Sequence, residues 1–145
     1  MRSVRADGTR YLLVKQSGDS SLVRNPTTGE ERYLPNDDLE PAGGESPLET
    51  AARAVPEAAR RVLSAVHDDR SLGLLLELDR RGPLAAVDLM GDYDYCESDV
   101  HGLLAEFRAA GLVEEATVAG QRGYDTTPLG GEGLAHLRGK DGTDE

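Results

Sequence analysis

The sequence contains neither isoleucine nor tryptophan and has a single cysteine, Cys96. One cysteine excludes an internal disulfide bond and a zinc site built from cysteines. No run of about 18 apolar residues is present, so we expect no membrane-spanning helix. Residues 1–5 lack the apolar segment of a secretory signal. These absences favour a protein that works in the cytoplasm.

Lysine is scarce as well. Of the 16 basic residues only Lys15 and Lys140 are lysines, against 27 acidic residues, and the net charge is −11. Such an acidic, lysine-poor composition is typical of proteins adapted to molar salt, where a Debye length of about 3 Å screens self-repulsion. The alternative is an ordinary acidic protein from a GC-rich genome. We favour the salt-adapted interpretation.

The first 40 residues carry the signals of short β-strands. Two turns rich in glycine, serine, threonine and proline separate β-prone runs at 11–16, 21–25 and 32–34. This pattern predicts a three-stranded antiparallel β meander over residues 1–40. Three short strands bury little apolar surface, so we expect an accessory module that docks against another part of the chain.

Residues 41–67 are predicted to contain a linker and an interrupted helix. Ser46, Pro47 and Glu49 form the sequence signature of a helix N-terminus with a capping box, and Pro56 interrupts the helix that follows. Apolar residues lie on more than one side of this segment, which makes it a candidate homodimer interface. They are Leu48, Ala51, Val55 and Val62.

A series of helices is predicted from Asp68 onward. A first helix ends at Gly82-Pro83, and a short helix over 83–90 is stopped by Gly91. The clearest amphipathic helix spans 97–110, and Gly111 stands where a C-cap glycine belongs. Its apolar stripe consists of Val100, Leu103, Leu104 and Phe107.

A hairpin and a last helix complete the pattern. The sequence predicts strands at 112–118 and 124–126 around a glycine-rich tip at 119–123, and Thr127-Pro128 opens the final helix. The charged residues 139–145 are predicted to be a disordered acidic tail.

Three short motifs carry a family resemblance. They read Phe-Arg-Ala-Ala-Gly-Leu-Val at 107–113, Gly-Gln-Arg-Gly at 120–123 and Tyr-Asp-Thr-Thr-Pro-Leu-Gly at 124–130. This part of the chain resembles the winged helix-turn-helix transcriptional regulators of the ArsR, MarR and PadR kind, in a haloarchaeal form. The resemblance implies an α+β fold with a winged helix-turn-helix domain over 68–138, binding to double-stranded DNA, and a homodimer.

The helix over 97–110 would then enter the major groove. Small residues opposite its apolar stripe would allow a close approach, two polar residues on its flank would contact phosphate, and an arginine at the hairpin tip suits a narrow minor groove. The candidate DNA-binding residues are Ser98, His101, Gly102, Ala105, Arg108, Gln121 and Arg122. The simpler alternatives are an alanine-rich surface chosen for helix propensity and a solvated loop arginine.

Acidic residues near this helix argue against DNA binding in dilute salt. They are Asp92, Asp94, Glu97, Asp99 and Glu106. In molar salt the release of counterions contributes less to affinity, so binding there would depend on shape and base contacts. The alternative function is a winged-helix module for protein–protein interaction, in which the face of small residues docks a partner.

Catalysis is not expected. The three histidines lack metal-ligand spacing, and no phosphate-binding loop, nucleophile elbow or dinucleotide fingerprint is present, so we predict no cofactor and no metal. Cys96, just before the 97–110 helix, could sense redox conditions. A small buried apolar residue is the interpretation that we favour for it.

Overall fold

The computed structural model describes residues 1–139. Residues 140–145, which make up nearly all of the predicted acidic tail, lie outside the described residues. The chain is of the mixed α+β class and divides into two compact units, Met1–Val55 and the remainder from Pro56 onward. The division falls inside the predicted 41–67 segment, so the expected boundaries after residues 40 and 67 do not coincide with it.

The N-terminal unit contains a five-stranded antiparallel sheet. Its strands are β1 (Arg2–Ala6), β2 (Thr9–Gln16), β3 (Ser20–Arg24), β4 (Glu31–Pro35) and β5 (Glu40–Pro41), in the order β4-β3-β2-β1-β5. The prediction of three strands was therefore wrong. Strand β1 was missed because it has few large apolar residues. Only Val4 and Ala6 contribute to the apolar core. Ser3, on the opposite face of the strand, is also buried, with its hydroxyl 2.5 Å from that of Thr50.

The N-terminal unit ends with a short helix, α1 (Pro47–Ala51). Its predicted capping box is confirmed, because the Ser46 hydroxyl accepts from the Glu49 amide at 3.1 Å and Glu49 Oε1 accepts from the Ser46 amide at 2.8 Å. Two 3₁₀ turns, Asn36–Asp38 and Ala52–Ala54, complete the unit. Its core consists of Val4, Ala6, Tyr11, Leu13 and Val23.

The C-terminal unit combines five helices with a three-stranded antiparallel sheet of order β6-β8-β7. Its elements are α2 (Glu57–Ala65), α3 (Asp69–Arg81), β6 (Leu84–Ala85), α4 (Ala86–Tyr93), α5 (Glu97–Ala109), β7 (Val113–Val118), β8 (Gln121–Thr126) and α6 (Pro128–Leu137). Helix α3 begins at the expected cap, because an Asp68 side-chain oxygen accepts from the Ser71 amide at 2.9 Å.

The short helix predicted over 83–90 is placed differently in the structure. Leu84 and Ala85 are buried and pair with β8, so the segment starts as a strand rather than as a helix. Helix α4 then continues through Gly91 to Tyr93, and its C-cap is Asp94, which adopts the left-handed conformation with φ of 55°. The helix therefore ends at the left-handed Asp94 and not at Gly91, where the sequence predicted its end.

The hairpin turn is tighter than predicted. Only Ala119 and Gly120 form it, both with positive φ (51° and 80°), as a two-residue turn between antiparallel strands requires. Gln121 and Arg122 therefore belong to strand β8, with Arg122 opposite Thr117. The expectation that Arg122 lies at the tip was wrong.

Helix α6 packs with its backbone close to two other elements. A Cβ built on Gly130 would lie 2.3 Å from the carbonyl oxygen of Leu112, and one on Gly133 would lie 2.3 Å from that of Ala58 in α2. The side chains of Leu75, Leu104 and Phe107 are fully buried in the core to which Leu134 of α6 also belongs. Gly133 therefore sets how near α6 lies to α2, and Gly130 sets how near it lies to Leu112, just before β7.

Candidate nucleic-acid interface

The face of α5 turned away from the core carries small, exposed side chains, as the sequence predicted. Ser98, Gly102 and Ala105 are exposed, while Val100 and Leu104 are buried. A Cβ added at Gly102 would meet no atom of the described chain within 4 Å. Packing inside the protein thus gives no reason for this glycine, although glycine within a helix costs roughly 0.5–1 kcal/mol relative to alanine.

An open cleft of about 330 Å³ lies along this face of α5. Tyr95, Ser98 and Gly102 contribute to one side of it. The other side is formed by residues around the start of α3, namely His67, Asp68, Arg70 and Ser71. The Arg70 guanidinium lies 4.5 Å from the centre of the Tyr95 ring, a cation–π contact. The structure thus brings Ser98 and Gly102 together beside a cation that sequence reasoning missed.

An ion pair at the edge of the cleft joins α5 to the segment before α3. His67 Nε2 lies 2.8 Å from Glu106 Oε2, and both side chains are exposed. The hydrogen bond to Glu106, and then its charge, raise the pKa of His67 above its usual range. The imidazole therefore stays protonated to a higher pH than in an unfolded chain.

Two arginines that the sequence suggested separately meet at one carboxylate. Arg108 Nη1, at the end of α5, lies 3.4 Å from Glu115 Oε2, and Arg122 Nε, on β8, lies 3.8 Å from the same oxygen. A polar hollow of about 310 Å³ adjoins Glu115 and Arg122 on the hairpin. Helix α5 and the hairpin thus present their cations side by side.

The remaining predicted residues stay apart from these two clusters. His101 is half-buried and its Nε2 lies 3.7 Å from Glu97 Oε2, one helical turn earlier. Ala105 is exposed on α5, and Gln121 is exposed at the start of β8, opposite Val118. None of these three residues lines the cleft or the hollow described above.

Cys96 is exposed, with its Sγ 3.4 Å from the hydroxyl oxygen of Ser98. The favoured interpretation of this cysteine as a buried apolar residue was therefore wrong. Cys96 is the N-cap residue of α5, although its side chain makes no capping hydrogen bond. At this position, before the first turn of the helix, its side chain lies at the surface.

Most of the acidic residues near α5 either pair with a basic side chain or lie where negative charge stabilises the helix. Asp92 pairs with Arg81 at 2.9 Å, and Glu106 pairs with His67. Glu97 and Asp99 lie in the first turn of α5, where negative charge stabilises a helix. Part of the negative charge around α5 is therefore already balanced within the protein.

Sequence reasoning missed His67, Arg70 and Glu115. The two cations come from the start of another helix, and no motif links them to α5. Glu115 could have been found from strand alternation, because it lies two residues from Thr117, the partner of Arg122, and therefore on the same face of the hairpin. Within residues 1–139 no group of three or more His, Cys, Asp or Glu side chains is placed to hold a metal ion.

No helix within the described residues is long and apolar enough to cross a membrane. In residues 1–139, six α-helices and two antiparallel sheets define an α+β protein of two units. Exposed cations gather where α5 meets the β7–β8 hairpin. The chain belongs to a family of unknown function, DUF7346, whose model matches residues 1–138. No curated protein and no solved structure matches the chain.

Proposed function

We propose that the segment from Asp68 to Arg138 is a winged helix-turn-helix domain that binds double-stranded DNA as a transcriptional regulator in a high-salt cytoplasm. The element order supports this: α3, β6, α4, α5, the β7–β8 hairpin and α6, with β6 completing a three-stranded sheet. This is the order of a winged helix, in which α5 would be the recognition helix and the hairpin the wing.

One observation carries the proposal: the solvent-exposed face of α5 has small side chains, and two arginines lie beside its C-terminal end. Ser98, Gly102 and Ala105 leave room for the helix to enter a groove closely. Arg108 and Arg122 would contact phosphate and fix the register of the helix on the duplex. His101, half-buried on the flank of α5, would serve as a further phosphate contact.

Salt conditions fit this role. The net charge of −11 repels DNA in dilute solution, and the repulsion falls as the Debye length shortens to about 3 Å at 1 M. The side chains of the site suit binding rather than bond cleavage, so we propose no catalytic activity. The protein would act on DNA without a cofactor.

The direct test is retention of genomic DNA fragments by the full chain between about 0.5 and 3 M KCl. Arg108→Gln and Arg122→Gln should each weaken binding and reduce the salt slope by about 1. Arg24→Gln removes an arginine that pairs with Glu31 at 3.4 Å on the N-terminal sheet, and it should leave binding unchanged. Failure to retain any fragment at any salt concentration would contradict the proposal.

A bulky side chain on α5 gives a second test. Gly102→Leu should fold, since the position is open, but should block the groove and lower affinity at least about tenfold, the effect of 1.4 kcal/mol. Gly73→Leu is the matched control, because Gly73 is also helical and a Cβ added there likewise meets no atom of the described chain within 4 Å. Equal affinities for the two variants would show that α5 does not enter the groove.

A specific observation favours a protein partner as well. An apolar groove of about 280 Å³ lies between α2, α3 and α6, with Leu63 (57% exposed) and Leu137 (42% exposed) among its lining residues. We propose a second copy of the chain as its occupant, since two-fold pairing would bury the groove against itself. The six residues after Gly139 contain no apolar side chain that could fill it. Were DNA binding absent, this groove would support the alternative role as a protein-interaction module.

A further inference from the structure

Glu115 occupies the point at which two arginines from different elements converge. We propose that Arg108 and Arg122 form one phosphate-binding subsite and that the Glu115 carboxylate holds the place of the phosphate when DNA is absent. This inference rests on the proposed function and adds a residue that opposes binding. Glu115 would set how strongly the two arginines are available to DNA.

The geometry suits a single anion. Both arginine nitrogens approach the same atom, Glu115 Oε2, at 3.4 and 3.8 Å, so both lie within reach of one small region of space. A phosphate carries several acceptor oxygens and matches the planar fork of a guanidinium. An anion placed where the Oε2 atom now lies would therefore reach Arg108 and Arg122 together.

The carboxylate is held loosely enough to be displaced. Both distances exceed the 2.7–2.9 Å of a strong charge-assisted hydrogen bond, and the side chains of Arg108, Arg122 and Glu115 are 48%, 66% and 44% exposed. Exposed pairs of this kind contribute little to stability and are screened by salt. Glu115 is thus a competitor that DNA phosphate can replace.

The position of Glu115 in the strand also supplies a control. Neighbouring residues of a strand point to opposite faces of the sheet, so Glu114 carries the same charge on the other side of β7. Glu115 lies opposite Tyr124 and Glu114 lies opposite Asp125 in the hairpin. Removing either glutamate changes the net charge equally, but only Glu115 touches the arginines.

The experiment measures binding of a genomic DNA fragment that the full-length chain retains. Glu115→Gln should bind that fragment about threefold more tightly at 0.5 M KCl, the gain expected from freeing two weakly paired arginines. The gain should approach zero at 3 M KCl, where the pairs are screened. At 0.5 M KCl, Glu114→Gln should change affinity less than Glu115→Gln. Adding Arg108→Gln and Arg122→Gln to Glu115→Gln should abolish the gain.

A second readout does not depend on DNA. In an NMR titration with inorganic phosphate, the Nε–H signal of Arg122 should move at a lower phosphate concentration in Glu115→Gln than in the parent chain. If the parent chain binds DNA and Glu115→Gln behaves as Glu114→Gln, the subsite is wrong and the proposed function stands. If no fragment binds, the proposed function fails, and equal phosphate titrations of Arg122 would then overturn the subsite too.

Discussion

At the scale of single residues, Glu45 is the most strongly perturbed acid in the described chain. Its carboxylate accepts from Arg53 at 2.8 and 2.9 Å and from the Thr50 hydroxyl at 2.5 Å, and Arg10 lies 3.5 Å away. The Arg53 hydrogen bonds, followed by the one from Thr50, lower the pKa of Glu45 to about 2. The charged form is therefore preferred far more strongly in the folded unit than in an unfolded chain.

Glu45 should make the N-terminal unit sensitive to acid. Since its pKa is lower in the folded state, its contribution is fully present above about pH 4.5 and is lost as the pH falls toward 2. Glu45→Gln should remove part of this acid dependence and lower the free energy of unfolding at pH 7. The buried Val23 methyl groups, followed by NMR at fixed salt in the full chain, report on this unit.

Glu40→Gln is the control for this prediction, because Glu40 is 70% exposed and lies 3.5 Å from Arg5. Its acid unfolding should follow that of the parent chain. Identical pH profiles for Glu45→Gln and Glu40→Gln would contradict the role assigned to Glu45.

The sequence predicts local residue contacts and fails for distant ones. The Ser46–Glu49 capping box was predicted because both partners lie within one helical turn. Glu45, one residue earlier, was assigned to a linker by composition, because the contact with Arg10 joins parts of the chain far apart in sequence. Asp7-Gly8, with φ of 50° and 77°, is a hairpin turn signal that was overlooked, and recognising it would have located β1.

At the scale of elements, the contact between α2 and α6 depends on glycine. Gly133→Ala would place a methyl group against the Ala58 carbonyl oxygen and the Val62 side chain. We expect a loss of about 1–3 kcal/mol in the free energy of unfolding, as for other overpacked positions. Urea denaturation at constant KCl concentration measures this change.

Gly102→Ala is the matched substitution at a helical glycine with open space around it. It should stabilise the chain by roughly 0.5–1 kcal/mol, since alanine loses less backbone entropy in a helix. The two variants should therefore shift the urea midpoint in opposite directions. Loss of stability in Gly102→Ala would mean that this position is more crowded than the structure shows.

The ends of helices were predicted correctly where a residue type marks them. Predictions failed where strand pairing with a distant part of the chain determines the structure. The Thr127-Pro128 start of α6 and the Gly111 end of α5 were both read correctly from residue type. Strand β6 was taken for helix, since two residues carry no periodicity and form a strand only by pairing with β8. Arg122 was likewise misplaced, at the tip of the hairpin, because its position in β8 depends on the exact length of the turn.

At the scale of the whole molecule, self-association remains a prediction with a revised surface. The segment around Val62 was expected to form the interface, but the Val62 side chain is 1% exposed and belongs to the core. Leu63 and Leu137 are the exposed apolar residues near it. An acidic chain can pair through such a groove in molar salt, because repulsion between copies is then screened.

Light scattering at 2 M KCl should report a dimer, and Leu63→Asp should convert it to a monomer by placing a charge in the apolar groove. Leu48→Asp is the comparison, because Leu48 is 82% exposed in the N-terminal unit and belonged to the originally predicted interface. A monomeric parent chain would rule out the dimer. If Leu48→Asp dissociated the dimer and Leu63→Asp did not, the originally predicted interface would be the correct one.

For the candidate site as a whole, the sequence predicted most of the residues involved but not which of them lie close together. Residues on the α5 face were predictable because helical periodicity separates them from Val100, Leu104 and Phe107. The convergence of Arg108 and Arg122 on Glu115 was not, since it requires the register of the hairpin against the helix.

Close backbone packing at Gly130 and Gly133 also provides a way to compare members of the family. A relative with a larger side chain at the position of Gly133 cannot bring its last helix as near to the helix that contains Ala58. It must move that helix outward and change the width of the groove between them. The residue type at this one position therefore divides family members by the shape of the surface through which they could pair.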